Sequence, residues 1–153
     1  EYVERFVEDV DFSKVLTAGH IMKRAETVQI EKGPRVALTL MKNLGISSIY
    51  VVDKQNRLLG AVTAQLAKDA FEKGLPLNEV IQKNITTVQK DTLLMDLFDI
   101  VSTAEIPIAV VDERDRMKGI VIRGALIGAL AGNDSYIHTA PVEVTEASLR
   151  EVN

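Results

Sequence analysis

A fifteen-residue stretch occurs twice in this chain, without a gap: IYVVDKQNRLLGAVT at 49–63 and IAVVDERDRMKGIVI at 108–122, an offset of 59 residues. Seven positions are identical: Ile49/Ile108, Val51/Val110, Val52/Val111, Asp53/Asp112, Arg57/Arg116, Gly60/Gly119 and Val62/Val121. A unit of about 60 residues is too long for a usual solenoid repeat, and two copies do not make an array. The simplest arrangement is two similar halves packed around a pseudo-two-fold axis. A cleft between two such halves is a natural place to bind something.

Each copy carries the same run of elements. A short strand is predicted at Thr27–Ile30 and again at Thr86–Gln89. A helix follows; in the first copy Gly33-Pro34 opens it, with Pro34 suited to a first turn, and Val36, Leu40 and Leu44 share one face beside Met41. In the second copy Asp91 is the expected N-cap of a helix bearing Leu94, Leu97, Phe98 and Val101. The duplicated stretch then reads as a β-hairpin, with strands Ile49–Val52 and Leu58–Thr63, and Ile108–Val111 and Met117–Ile122. Helices Ala64–Lys73 and Arg123–Ala131 close the units. The fold class is α/β, built from two β-α-β-β-α units. The expected boundaries are a helical linker at 1–17, a first domain at 18–77, a second at 78–133 and a loosely held or disordered tail at 134–153.

Bulk properties remove several classes of function. The net charge of −4 and the 5% aromatic content, with no Trp, argue against a nucleic-acid binder. Absence of cysteine removes disulfides, thiolate metal sites and cysteine nucleophiles. No apolar run approaches the roughly 20 residues of a membrane span. The chain starts at Glu1 rather than Met, which reads as a piece of a longer protein. Charge is uneven: residues 18–77 hold nine basic against five acidic side chains, +4, while the flanking segments are acidic.

No catalytic constellation is present. There is no GxxxxGK[ST] phosphate loop, and His20 and His138 lie outside any metal-ligand spacing, so a structural role is expected for each. Asp53 and Asp112 stand where a hairpin strand enters its turn, and are expected to accept hydrogen bonds from turn amides.

The hydrophobic-VVD strand, turn and G-hydrophobic-hydrophobic strand, present twice, resemble the CBS domain, and two in tandem resemble a CBS pair. The resemblance implies a disc-like homodimer. DFSKVLTAGHIMKR at 11–24 and RMKGIVIRGALIGALAG at 116–132 more closely resemble the C-terminal CBS pair on the ATP-binding subunit of glycine betaine/proline-type ABC importers. That setting implies an upstream ATPase domain, a membrane permease partner and a cytoplasmic location at the inner face of the membrane. It also implies regulation by ionic strength or, in some bacterial members, by cyclic di-AMP.

In many adenine-binding CBS domains, G-hydrophobic-hydrophobic-T-x-x-D follows the hairpin, with Thr on phosphate and Asp on both ribose hydroxyls. Here the first copy has Gly60 and Thr63 but Leu66 in place of Asp; the second has Gly119 but Ile122 and Ala125 in place of Thr and Asp. The missing carboxylate disfavours AMP or ATP. It disfavours cyclic di-AMP less, because the ribose 3′ oxygens of that ligand are already esterified. No cofactor is expected; cyclic di-AMP is the expected regulatory ligand, with AMP or ATP as the alternative. Ile120 and Ile122 fall on one side of a strand, and Arg123 can pair with phosphate through its planar fork. By the resemblance, Thr27, Val28, Ile46, Ser48 and Pro107 complete the ligand set. Ser48 and Pro107 are equivalent positions, so the two clefts should not bind alike.

The last helix repeats Gly124, Gly128 and Gly132 every four residues, with Ala125 and Ala129 beside them. A helical Gly costs about 1 kcal/mol against Ala, and close approach of a partner helix would offset it. Gly124, Gly128 and Ala129 are therefore the expected dimer contacts. Two other readings remain open. One is salt-released docking of Lys23, Arg24, Lys32 and Arg35 on an anionic membrane surface or an acidic segment, since the Debye length falls from about 10 Å at 0.1 M to about 3 Å at 1 M. The other is a passive dimerisation domain or a regulator of a cytosolic enzyme.

Overall fold

The computed structural model describes residues 12–103, 107–132 and 137. The expected elements at 1–11 and most of the tail lie outside the described residues. The chain forms two compact units: one of Ala25–Ile85 with Glu113–Met117, the other of the segments up to Arg24, Thr86–Asp112 and from Lys118 onward. The first is called the 25–85 unit and the second the 86–132 unit.

The 25–85 unit is built on a three-stranded sheet of β1 (Thr27–Gln29), β2 (Ser48–Val52) and β3 (Leu58–Thr63), in the order β1-β2-β3. β1 runs parallel to β2, Val28 facing Val51; β2 and β3 are antiparallel, with a register shift between Val51 and Val52. The 86–132 unit repeats this with β4 (Thr87–Gln89), β5 (Ile108–Val111) and β6 (Met117–Val121), β4 parallel to β5. The hairpin strands begin and end within one residue of the boundaries read from β-branched runs and polar turns.

Five described α-helices accompany the sheets: α1 (Ala18–Ile21), α2 (Gly33–Leu44), α3 (Ala64–Lys73), α4 (Leu94–Thr103) and α5 (Arg123–Leu130). None is long and apolar enough to cross a membrane. In α2 the buried pair is Ala37 and Met41, an i,i+4 stripe, whereas Val36 and Leu44 are 38% and 43% exposed. Of the expected Val36/Leu40/Leu44 face, Leu40 packs partly buried against the core, while Val36 and Leu44 stay exposed. Both stripes are apolar, and the stripe with the small Ala37 is the one packed into the core. α4 buries Leu94, Leu97 and Val101 but leaves Phe98 52% exposed. Asp91 does not cap α4. Thr92 N–H closes a turn onto the Gln89 carbonyl, and the helix starts three residues beyond Asp91, with Leu93 C=O accepting from Asp96 and Leu97.

Each unit has its own apolar core. That of the 25–85 unit centres on Val28, Met41, Ile49, Val51, Val62 and Leu77. The other centres on Ile21, Met22, Leu94, Leu97, Val110, Val121 and Leu126, and Ile137 packs partly buried against it.

The leading segment of each repeat packs with the sheet of the other repeat. Lys23 and Ile120 exchange N–H···O bonds of 2.9 and 2.8 Å; Ala61 and Gln82 exchange bonds of 3.0 and 2.7 Å. These are one contact made twice, since Gln82 and Ile120 lie 59 residues beyond Lys23 and Ala61. The sequence boundary at 18 and the spatial boundary at Ala25 therefore differ. The exchange also explains the repeated glycines: a Cβ on Gly60 would lie 2.6 Å from the Gln82 carbonyl oxygen, and one on Gly119 would lie 2.7 Å from that of Lys23. A backbone oxygen held in a ladder cannot step aside cheaply, so only glycine admits this approach.

Candidate functional site

The end of a sheet where parallel strands begin and the hairpin's second strand finishes collects one residue from each of several elements. In the 25–85 unit these are Thr27 opening β1, Ser48 opening β2 and Thr63 closing β3, with Ser48 paired to Thr63. Ile46 lies two residues before β2, 40% exposed, its N–H bonded to the Met41 carbonyl as α2 ends. Val28 is 3% exposed and sits in the core, which leaves only its backbone for a ligand.

At the corresponding end of the 86–132 unit, Pro107 lies just before β5, and Ile122 and Arg123 follow β6. Burial along β6 alternates, with Val121 fully buried and Ile120 partly exposed. Ile122 is also partly exposed, and neither isoleucine belongs to the core cluster. Arg123 is exposed at the first position of α5, and its Nη2 donates to the Val101 carbonyl at 3.3 Å. The eight sequence-derived ligand residues thus fall as four in each unit.

The two sites differ where a helix begins. Thr63 Oγ1 accepts from Leu66 N–H at 3.2 Å and caps α3. Ile122 occupies the same position before α5 and makes no side-chain cap. The first-turn amides of α5 therefore lack that internal acceptor, beside a guanidinium. The positive end of a helix dipole and a cation together suit an anion.

Asp53 fills its expected turn role. Its Oδ1 accepts from Gln55 and Arg57 N–H, both at 2.9 Å, and its Oδ2 pairs with Arg57 Nε at 2.7 Å. Burial pushes the carboxyl's pKa up, but the Arg57 amide and guanidinium and the Gln55 amide outweigh it and hold it below the usual range. His20 is likewise structural: Thr17 N–H donates to its Nδ1 at 3.0 Å at the start of α1. His138 lies outside the described residues.

Of the expected dimer contacts, Gly124 is exposed with open space around it, and Gly128 is partly buried. Ala129 is fully buried in its own unit's core. Its side chain has no surface left for a second copy. Sequence reasoning missed the large apolar side chains left on helix surfaces: Phe71 and Leu75 on and just after α3, Met95 and Phe98 on α4, and Ile127 on α5. Of these, the sequence pattern names only Phe98, in the same helix as the buried Leu94, Leu97 and Val101. The four cations Lys23, Arg24, Lys32 and Arg35 divide between the units after Arg24. The 25–85 unit, with its 113–117 turn, carries ten basic and eight acidic residues, +2 rather than +4.

The CBS domain profile matches residues 18–66 and 77–132. The chain belongs to the CBS domain family. Both CBS matches begin in the leading segments, at the equivalent positions Ala18 and Leu77. Over 138 residues, 90% of this chain, the CBS pair is 70% identical to the glycine betaine transport ATP-binding protein OpuAA of Bacillus subtilis. That stretch is 33% of the relative, and the chain spans about a third of the length of the curated relatives it matches. Among solved structures, Staphylococcus aureus OpuCA superposes with a TM-score of 0.67 at 26% identity, covering 73% of this chain and 97% of that one. CbpB in complex with c-di-AMP superposes at 0.72 with 12% identity, covering 87% and 95%, a likeness of fold alone.

Proposed function

We propose that this CBS pair is the regulatory module of the ATP-binding subunit of a compatible-solute importer, and that cyclic di-AMP binding inhibits glycine betaine uptake. The 70% identity to OpuAA carries the assignment to the transporter. In this reading an ATPase domain precedes the CBS pair, a permease is its membrane partner, and the module works at the cytoplasmic face. The ATP chemistry belongs to the rest of the subunit.

Three features support a cyclic dinucleotide over AMP or ATP. The ribose-binding aspartate is replaced by Leu66 and Ala125. Ile120 and Ile122 leave the core face of β6 and offer apolar wall to an adenine. Arg123 and the first turn of α5 offer a cation and N–H groups to a singly charged phosphate. Two-fold symmetry of the ligand suits a homodimer, which the exposed Phe98, Ile127 and Gly124 support as helix-face contacts. Inhibition requires that the ligand bind more tightly to the inactive arrangement of the transporter than to the active one.

Calorimetry of this chain with cyclic di-AMP, against AMP and ATP, tests the reading. Saturable heat with the cyclic dinucleotide, lost in Arg123→Ala, is the expected result. No heat from the cyclic dinucleotide overturns it.

A further inference from the structure

The helices that precede β2 and β5 end in different ways. In α2 the backbone closes the end. Gly45 takes the left-handed conformation, φ 68° and ψ 31°, its N–H donates to the Lys42 carbonyl at 3.3 Å, and Ile46 N–H donates to the Met41 carbonyl at 3.0 Å. Amides of the chain thus satisfy carbonyls that a helix end leaves without partners. The residue 59 positions beyond Gly45 is Ala104, a type whose Cβ makes the left-handed conformation costly. In α4, side chains reach the last carbonyls. Ser102 Oγ donates to the Asp99 carbonyl at 2.9 Å, Thr103 Oγ1 to the Ile100 carbonyl at 3.3 Å, and Arg123 Nη2 to the Val101 carbonyl at 3.3 Å. The first two belong to α4 itself, whereas Arg123 comes from the start of α5, 22 residues beyond Val101.

Arg123 is poorly placed for its own helix. A cation at a first helical position meets the positive end of that helix's dipole. The Val101 carbonyl lies in the last turn of α4, at the negative end of a dipole, where a guanidinium is favoured. In the 25–85 unit the position equivalent to Arg123 is Ala64, and α2 closes without it. The unit without the closing glycine is the unit with the arginine.

Given the cyclic dinucleotide reading above, we propose that Arg123 couples the ligand to α4: it clamps the end of that helix in the ligand-free chain and gives up the contact to the ligand's phosphate. A phosphate offers a full negative charge and two oxygens to the planar fork, whereas the Val101 carbonyl offers one neutral oxygen, so the phosphate wins the guanidinium. The last turn of α4 then opens more often. α4 also carries Phe98, 52% exposed. Occupancy of the cleft is therefore felt in the helix whose face is offered to a second copy.

Hydrogen–deuterium exchange of this chain, with and without saturating cyclic di-AMP, tests the coupling. The amides of Ile100–Thr103 should exchange about tenfold faster with the ligand, the worth of one hydrogen bond. Those at the end of α2, Met41–Leu44, should not change. Arg123→Ala is a mild variant, because it installs the residue that position 64 already carries. Without ligand, its Ile100–Thr103 amides should already exchange at the fast rate, with parent values at the end of α2 showing that the variant is folded. Equal exchange at Ile100–Thr103 in ligand-free parent and ligand-free Arg123→Ala overturns the clamp, whatever the chain binds. Unchanged or slower exchange there in a parent that calorimetry shows to be saturated overturns the coupling and leaves the ligand reading standing. No heat from cyclic di-AMP overturns that reading and the coupling with it.

Discussion

The two units carry the same scaffold but not the same surfaces, and the differences are concentrated at equivalent positions. Where the 25–85 unit has Thr63, which caps α3, the 86–132 unit has Ile122 and an α5 with no side-chain cap. Where one has Ser48 the other has Pro107. Tyr50, 5% exposed in β2, corresponds to Ala109 in β5, and Leu77 in one core corresponds to Ala18 in the other. What does not differ is the contact that the repeated glycines permit. The repeats share the backbone approach that holds each leading segment, and they differ in side chains at the sheet ends and in the cores.

The strongest way to break this comparison is at the shared contact. Gly60→Ala and Gly119→Ala each push a methyl group to within 2.6 or 2.7 Å of a backbone oxygen. Each should cost about 3 kcal/mol or more, the upper range of overpacking, by urea denaturation. A harmless Gly60→Ala beside a damaging Gly119→Ala would mean that the two leading segments are not held alike. Next comes the unequal pair in the cores. Leu77→Ala removes a fully buried side chain and should cost about 2–5 kcal/mol. Ala18→Leu adds bulk to a filled core and should cost about 1–3 kcal/mol.

Alkali should act on the 25–85 unit through Tyr50. Burial pushes the Tyr50 phenol up to about 12, against about 10 in an unfolded chain. The folded chain therefore holds this proton more tightly. Its contribution is complete below pH about 10 and is lost as pH rises towards 12. Circular dichroism followed through that window should show a steep fall for the parent and a shallower one for Tyr50→Phe.

The helix starts give a smaller effect. Thr63→Ala should cost about 1 kcal/mol, and Ile122→Thr should return a similar amount while placing a hydroxyl in the proposed phosphate site. Thermal melts measure the first, and cyclic di-AMP calorimetry shows whether the second alters binding. Asp53 gives the smallest effect, in the opposite pH direction. Its depressed pKa means that its stabilisation is present above pH about 4 and is lost as pH falls below that. Asp53→Asn should flatten the acid limb there, as followed by acid denaturation.

The amino-acid sequence alone determined the duplication, the hairpins and the closing helices. Alternating β-branched residues, turn-forming Asp and Asn, and helical spacing are local signals that the backbone reads within a few residues. It also located the positions where the copies diverge, because a fixed offset of 59 makes equivalence legible. It did not determine which apolar stripe of α2 would be buried. Val36/Leu40/Leu44 and Ala37/Met41 have the same period, and only the available space chose the stripe carrying Ala37. Nor did it reveal that Lys23 pairs with Ile120 and Gln82 with Ala61. A strand edge must satisfy its N–H and C=O groups, but which distant segment does so depends on how the whole chain packs. The bridge between Arg57 and Arg116 has the same origin. Arg57 and Arg116 are visible in the sequence as one repeated residue, and only the meeting of two turns makes them neighbours.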